Sequence, residues 1–251
     1  MSGHSKWSTI KRKKGAADAK RGKLFSQLAK EITVAAKAGG GDPNTNARLR
    51  TVLLSARNQN MPKDNVDRAI KKGTGELPGV IYEEARYEGY AAGGVALVID
   101  LLTDNKNRTV AEIRHILTRN GGALAETGAV LWNFEQKGQI AIAKSACSED
   151  EMFEKAIEAG AEDVDTEGPE FYEVSTKPSD LHLVLEALDK TGLKAESAQL
   201  TMLPKTTIKV EGSSAGNVLR VVEALEEHED VQNVYANFDI SDEDMAAAMG
   251  D

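Results

Sequence analysis

Chemistry in this chain begins with charge rather than with a catalytic group. Lys11-Arg12-Lys13-Lys14 is followed by Lys20, Arg21 and Lys23, with Lys6, Trp7 and His4 just upstream. Lys and Arg neutralise phosphates and release condensed counterions, so such a run binds DNA or RNA without reading its sequence. Trp7 either stacks on an exposed base or anchors the N-terminal arm on its own domain. Lys30, Arg48 and Arg50 extend the basic character along the same segment. A second candidate is Thr103-Asp104-Asn105-Lys106-Asn107-Arg108-Thr109, between an expected strand and an expected helix. Asp, Asn and Thr suit a turn and a helix cap there, while Lys106 and Arg108 at a helix N-terminus also suit an anion site.

The charge is unevenly spread. Residues 1–75 hold 17 Lys and Arg against five Asp and Glu, a net +12, while the remainder carries −21, giving −9 overall. A basic segment on an acidic body is the asymmetry of a polyanion binder. Between Glu149 and Glu173 stand 11 acids and one base, Lys155. That stretch is either a solvated face or a docking surface for a basic partner.

Other functions fall away. No phosphate-binding glycine loop or nucleophile-elbow motif occurs, and His4, His115, His182 and His228 lack metal-ligand spacing. The chain therefore reads as non-enzymatic, with no cofactor and no metal. The single cysteine, Cys147, excludes an internal disulfide framework and a cysteine zinc site. The longest apolar run, Val95 to Ile99, is far short of the ~20 residues that cross a bilayer. No apolar leader follows Met1, so the expected setting is the cytoplasm, with no membrane partner.

The elements that must position these charges are legible in outline. Leu24, Leu28 and Ile32 form a helical stripe from about Asp18 to Ala38, which Gly39-Gly40-Gly41-Asp42-Pro43 should end. A second helix starts near Asn44 or Asn46, and a third follows Met61-Pro62 with Gly73 as its C-cap. Beyond the linker at 73–79, strands and helices alternate. Residues 130–145 read as two strands around a Lys137-Gly138 turn, and Ser241 to Asp251 as an acidic tail that frays. The expected fold is α+β, a three-helix bundle followed by two small α/β sandwiches, one inserted in the other. The domains are 1–75, 76–129 with 205–240, and an inserted acidic 130–204.

Gly3-His4-Ser5-Lys6-Trp7, the basic run, Lys20-Arg21-Gly22-Lys23, Asn60-Met61-Pro62-Lys63-Asp64, Tyr87-Glu88-Gly89-Tyr90, Gly121-Gly122 and Trp132 stand in the order typical of the YebC family. The resemblance runs from about residue 2 to 240 and rests on many short motifs at consistent spacing. After Tyr90 the family usually has Gly-Pro, where this chain has Ala91-Ala92. The resemblance implies three domains and a DNA-binding transcriptional regulator. It also implies an alternative, a ribosome-associated translation factor that binds ribosomal RNA. A protein-interaction module acting through the acidic body is a third reading. Carried over by position, the nucleic-acid surface is the basic first domain, with Lys106 and Arg108 as a second contact.

Overall fold

A computed structural model describes residues 18–248. Three helices come first, α1 (Asp18–Gly39), α2 (Ala47–Asn58) and α3 (Lys63–Thr74). Leu28, Ile32, Ala35, Leu49, Val52, Ala56, Met61 and Ala69 form their common core. Asn46 welds the first two helices. Its side chain accepts from Leu49 N–H at 3.0 Å, capping α2, and donates to the carbonyls of Ala35 and Gly40 at 2.8 Å each. The expected C-cap at Gly73 moves to Gly75, which adopts the left-handed conformation. Gly73 lies inside α3, where a Cβ would collide with the backbone carbonyl of Thr33 and come within 2.7 Å of the Ala36 methyl. Close approach of two helices, rather than helix termination, explains this glycine.

The first sheet has the order β3-β1-β2-β9, wholly antiparallel, from β1 (Glu83–Tyr90), β2 (Ala96–Thr103), β3 (Ala123–Leu124) and β9 (Val231–Ala236). Helices α4 (Lys106–Arg119) and α7 (Gly212–Glu226) bury Ile113, Leu117, Val218, Val222 and Leu225 against Leu97, Ile99 and Leu101. The other face of β2 is covered too, by Val130, Phe134 and Met202 around Val98. Burial on both faces makes β2 a continuous apolar run. The turn before it is tight: Gly93 and Gly94 have φ of 72° and 77°, and Ala91 N–H donates to Val95 at 2.8 Å. Strand β1 alternates over Glu84 to Glu88, a signal masked by its three charged residues in five. Ala85 and Tyr87 pack on the core, and Glu84, Arg86 and Glu88 form the opposite, polar row.

The second sheet has the order β5-β6-β4-β7, from β4 (Phe134–Ala143), β5 (Asp163–Asp165), β6 (Phe171–Thr176) and β7 (Ala195–Pro204). Helices α5 (Glu149–Ala159) and α6 (Leu181–Lys190) cover it with Met152, Ala156, Leu181, Val184 and Leu188. In the chain this sheet lies between β3 and β9. The turn expected at Lys137-Gly138 is absent, because β4 runs unbroken through both residues. Gly138 is needed for packing: a Cβ there would overlap the Thr176 hydroxyl and come within 2.9 Å of Leu181 Cβ.

Short β8 (Ile208–Lys209) and β10 (Phe238–Asp239) pair in parallel beside the first sheet. The end of the chain corrects the expected fraying, since α8 (Asp242–Ala248) forms and buries Met245 completely in the first sheet's core. Residues 249–251 lie outside the described set. The observed fold is α+β, helices first and sheets after, as the sequence reading expects.

Candidate nucleic-acid interface

Of the residues the sequence singles out, Lys6, Trp7 and Lys11 through Lys14 lie outside the described residues, as does the side chain of Lys20. The others separate by what they touch. Arg21 is exposed on α1. Lys23, two residues further, donates to the Glu226 carbonyl at 2.5 Å. Lys30 reaches the Glu229 carbonyl at 3.0 Å and the Asp230 carboxylate at 2.8 Å, with its ammonium 5.4 Å from the Tyr82 ring centre. Arg48 pairs with Glu84 at 2.5 Å. Arg50 donates to the carbonyls of Pro43 and Asn44 at 3.0 and 2.9 Å. On α4, Lys106 pairs with Glu83 at 2.6 Å, and Arg108 with Asp104 at 3.0 Å and Asp230 at 2.8 Å. Asn105 caps α4 by accepting from Arg108 N–H at 3.1 Å, so this turn is explained locally by capping.

Asp230 gathers several of these groups. Its side chain is 2% exposed and accepts from Lys30, Arg108 and the Thr109 hydroxyl, each at 2.8 Å. Burial alone would raise this carboxyl's pKa. The hydrogen bonds from Lys30, Arg108 and Thr109 outweigh burial and hold it well below the usual carboxylate range. Gln27 adds a hydrogen bond to the Val231 carbonyl at 2.6 Å. The result is a joint that ties α1 to the start of β9. Beside it, His228 contacts Glu112 at 2.9 Å and accepts from Asp230 N–H at 3.1 Å. Glu112, His228 and Asp230 thus converge as three metal-ligand types, which their spacing in the chain conceals. Lys30 and Arg108 already neutralise Asp230, so the protein itself supplies the positive charge there.

A further joint seats the bundle on the second sheet domain. Thr51 on α2 meets His182 Nε2 at 2.7 Å, and Asn58 donates to the Glu196 carbonyl at 3.1 Å. Burial, and then Arg50, hold the His182 imidazole below its ordinary pKa, which keeps it neutral in this contact.

Besides Arg21, what remains available is a different set of cations. Lys37, Arg57, Lys63, Arg68, Lys71 and Lys72 are exposed and form no ion pair with another described residue. Arg68, Lys71 and Lys72 follow i, i+3, i+4 spacing, so they lie on one exposed side of α3. Lys72 and Lys37 flank a shallow cavity of about 190 Å³ floored by Thr33 and Gly73. The sequence places this helix after Met61-Pro62, but its cations are not among the expected site residues, although their spacing and the basic last turn are visible. The acidic stretch has local explanations as well. Glu149, Asp150 and Glu151 fill the first turn of α5, where the helix dipole favours them, and Lys155 pairs with Glu151 at 2.6 Å.

Among the described residues, no helix is long and apolar enough to cross a membrane. Residues 5–76 match a family model described as the TACO1/YebC protein N-terminal domain, and residues 82–238 match the TACO1/YebC second and third domain. A probable transcriptional regulatory protein of Geobacter sp. (strain M21) is 57% identical over 249 residues, covering 99% of this chain and 100% of that one. One from Acidithiobacillus ferrooxidans (strain ATCC 53993 / BNL-5-31) is 58% identical over 246 residues, covering 98% of each. The crystal structure of a conserved hypothetical protein from Aquifex aeolicus superposes with a TM-score of 0.83 at 49% identity, covering 90% of this chain and 93% of that one.

Proposed function

The chain belongs to the TACO1/YebC family, and from that premise we propose that it is a non-catalytic regulator that binds nucleic acid through its basic first domain, acting as a DNA-binding transcriptional regulator in the cytoplasm. One observation carries this reading: the unpaired basic face of α3, in a segment of net charge +12. Lysine and arginine on an exposed helix face, forming no ion pair with a described residue although Asp64 and Asp67 stand one turn earlier, are suited to phosphate oxygens. The name carried by the relatives, probable transcriptional regulatory protein, supports the regulatory part. In this reading residues 1–75 bind, 76–129 with 205–240 hold the bundle in place, and 130–204 form an inserted acidic unit turned toward a protein partner.

A second reading has its own support. Base edges in DNA are read mainly by arginine, asparagine and glutamine. Arg48, Arg50 and Arg108 are all engaged by the protein itself, and the exposed set is rich in lysine, a point charge that follows phosphates. Such chemistry suits a structured RNA recognised by shape, as for a factor bound to ribosomal RNA.

Crosslinking the protein in growing cells, then sequencing the recovered DNA and RNA, separates the two. Discrete promoter sites establish the transcriptional reading, whereas one enriched ribosomal RNA region replaces it with the second. Replacing Lys11 through Lys14 by Ala should weaken binding to either nucleic acid and flatten its salt dependence. Unchanged affinity removes the arm from the interface.

A further inference from the structure

Trp132 is 68% exposed, an unusual position for the largest side chain in the set, and it is held rather than loose. Its indole N–H donates to the Ala129 carbonyl at 2.9 Å, and the hydroxyl of Tyr90, itself 40% exposed, points at the same oxygen from 3.5 Å. The loop beneath is fastened by Glu88, whose buried carboxylate accepts from the N–H groups of Gly128, Val130 and Leu131 at 2.6, 2.7 and 2.8 Å. Burial raises this carboxyl's pKa, and the three backbone N–H groups more than reverse that, keeping it ionised. On the other side, Asn133 accepts from the N–H and the hydroxyl of Thr206 at 3.0 and 2.8 Å and donates to its carbonyl at 3.0 Å. Lys205, exposed, donates its backbone N–H to the Asn133 carbonyl at 2.7 Å.

Val130 and Phe134 on either side are buried, so only the aromatic face between them looks outward. Fixing a large apolar ring in water, and burying a carboxylate to support it, is an arrangement that local folding does not require. Because the indole N–H is already satisfied, an incoming partner meets a π-face without a donor. A face that recognises by stacking alone suits any nucleobase, since every base has one. Charge sets the direction of approach: exposed Glu126 begins the supporting loop, while Lys205 stands beside Asn133 on the other flank.

We propose that Trp132 and Tyr90 form a stacking platform for an unpaired base of single-stranded nucleic acid, with Lys205 taking the adjoining phosphate. The platform rests on the nucleic-acid reading above and adds a single-strand contact outside the basic bundle. It would engage a melted or looped-out nucleotide while the first domain holds the backbone.

The test uses the full chain and a twelve-nucleotide oligothymidylate, with a mixed-sequence duplex of equal length as control. In a Trp7→Phe background Trp132 is the only indole, and stacking should quench its emission as the single strand is added. In the otherwise native chain, Trp132→Ala should weaken single-strand binding roughly tenfold and leave duplex binding unchanged, with Trp132→Phe retaining most of the affinity. Lys205→Ala should reduce the single-strand salt slope by about 0.7. Absence of quenching, or a Trp132→Ala affinity within twofold of the parent, overturns the platform. If Arg68, Lys71 and Lys72 replaced by Ala weaken binding while Trp132→Ala does not, the platform fails and the nucleic-acid reading stands. If the native chain binds neither oligonucleotide, that reading fails and the platform with it.

Discussion

Lys30 and Lys72 belong to neighbouring helices of one bundle and carry the same charge, yet they face opposite fates. Lys30 is 15% exposed and fixed on a buried carboxylate, whereas Lys72 is exposed at the rim of a shallow cavity. The inner face of α1, through Lys23, Gln27 and Lys30, uses its polar groups to hold the bundle against the loop before β9. The outer face of α3 spends none on the protein. A cation's place in the chain says that it is basic, and its neighbours decide whether it builds the molecule or meets a ligand.

Removing the hub of the inner set should have the largest effect. Asp230→Ala leaves Lys30 and Arg108 without their shared acid, and we expect a loss of about 3 kcal/mol in urea denaturation. The pH dependence has a definite sign. Asp230's folded pKa is depressed, so its contribution is complete above the unfolded carboxylate value of about 3.9 and is lost as pH falls through the folded value. The deficit of the variant should therefore be constant from pH 5 to 8 and shrink below about pH 4. A deficit that vanished near neutrality would break the contrast between the two faces.

Next in size is the outer set. Replacing Arg68, Lys71 and Lys72 by Ala should lower nucleic-acid affinity roughly tenfold at 0.1 M salt and reduce the duplex salt slope by about 2.7. Folding stability should stay within about 0.5 kcal/mol of the parent, as for other exposed positions. Loss of stability without loss of affinity would reverse the assignment of the two faces. The smallest effect belongs to Lys106→Ala. Its pair with Glu83 is exposed on both sides, at 51% and 63%, so neither the urea midpoint nor nucleic-acid affinity should move measurably. A clear drop in affinity would return Lys106 to the interface and sharpen the boundary between the sets.

Much of the fold was legible because local rules agreed with tertiary ones. The stripe of Leu24, Leu28 and Ile32 ends where the glycine run begins, and Asn46 caps the helix it precedes. Strand β1 alternates from Glu84 to Glu88, yet its three charges in five hid it, since their partners, Arg48, Asp100 and three backbone N–H groups, are ones that no local pattern reveals. Gly73 and Gly138 looked like punctuation, yet they are glycines because another segment passes too close for a Cβ. The same limit applied to the candidate site. Lys30 and Asp230 are 200 residues apart, so a reading along the chain counts the lysine among the free charges. Trp132 showed itself only as part of a family motif, and its exposure depends on a carboxylate 44 positions earlier in the chain.

Strand β9 gives the molecule a timetable. It supplies the neighbour that β2 lacks, pairing Ile99 with Val234, and it follows directly on the residue that anchors Lys30. During synthesis at 5–20 residues per second, β2 therefore waits on the order of ten seconds with an apolar edge unpaired. The helical bundle and the sheet spanning 134–204 can condense in that interval, since each draws its core from residues close together in the chain. A nascent chain halted before residue 230 would lack the Asp230 joint to Lys30 and would carry an open strand edge that invites proteolysis or aggregation. Completion of the first sheet and formation of the Asp230 joint are thus one late event, set by the arrival of a single strand.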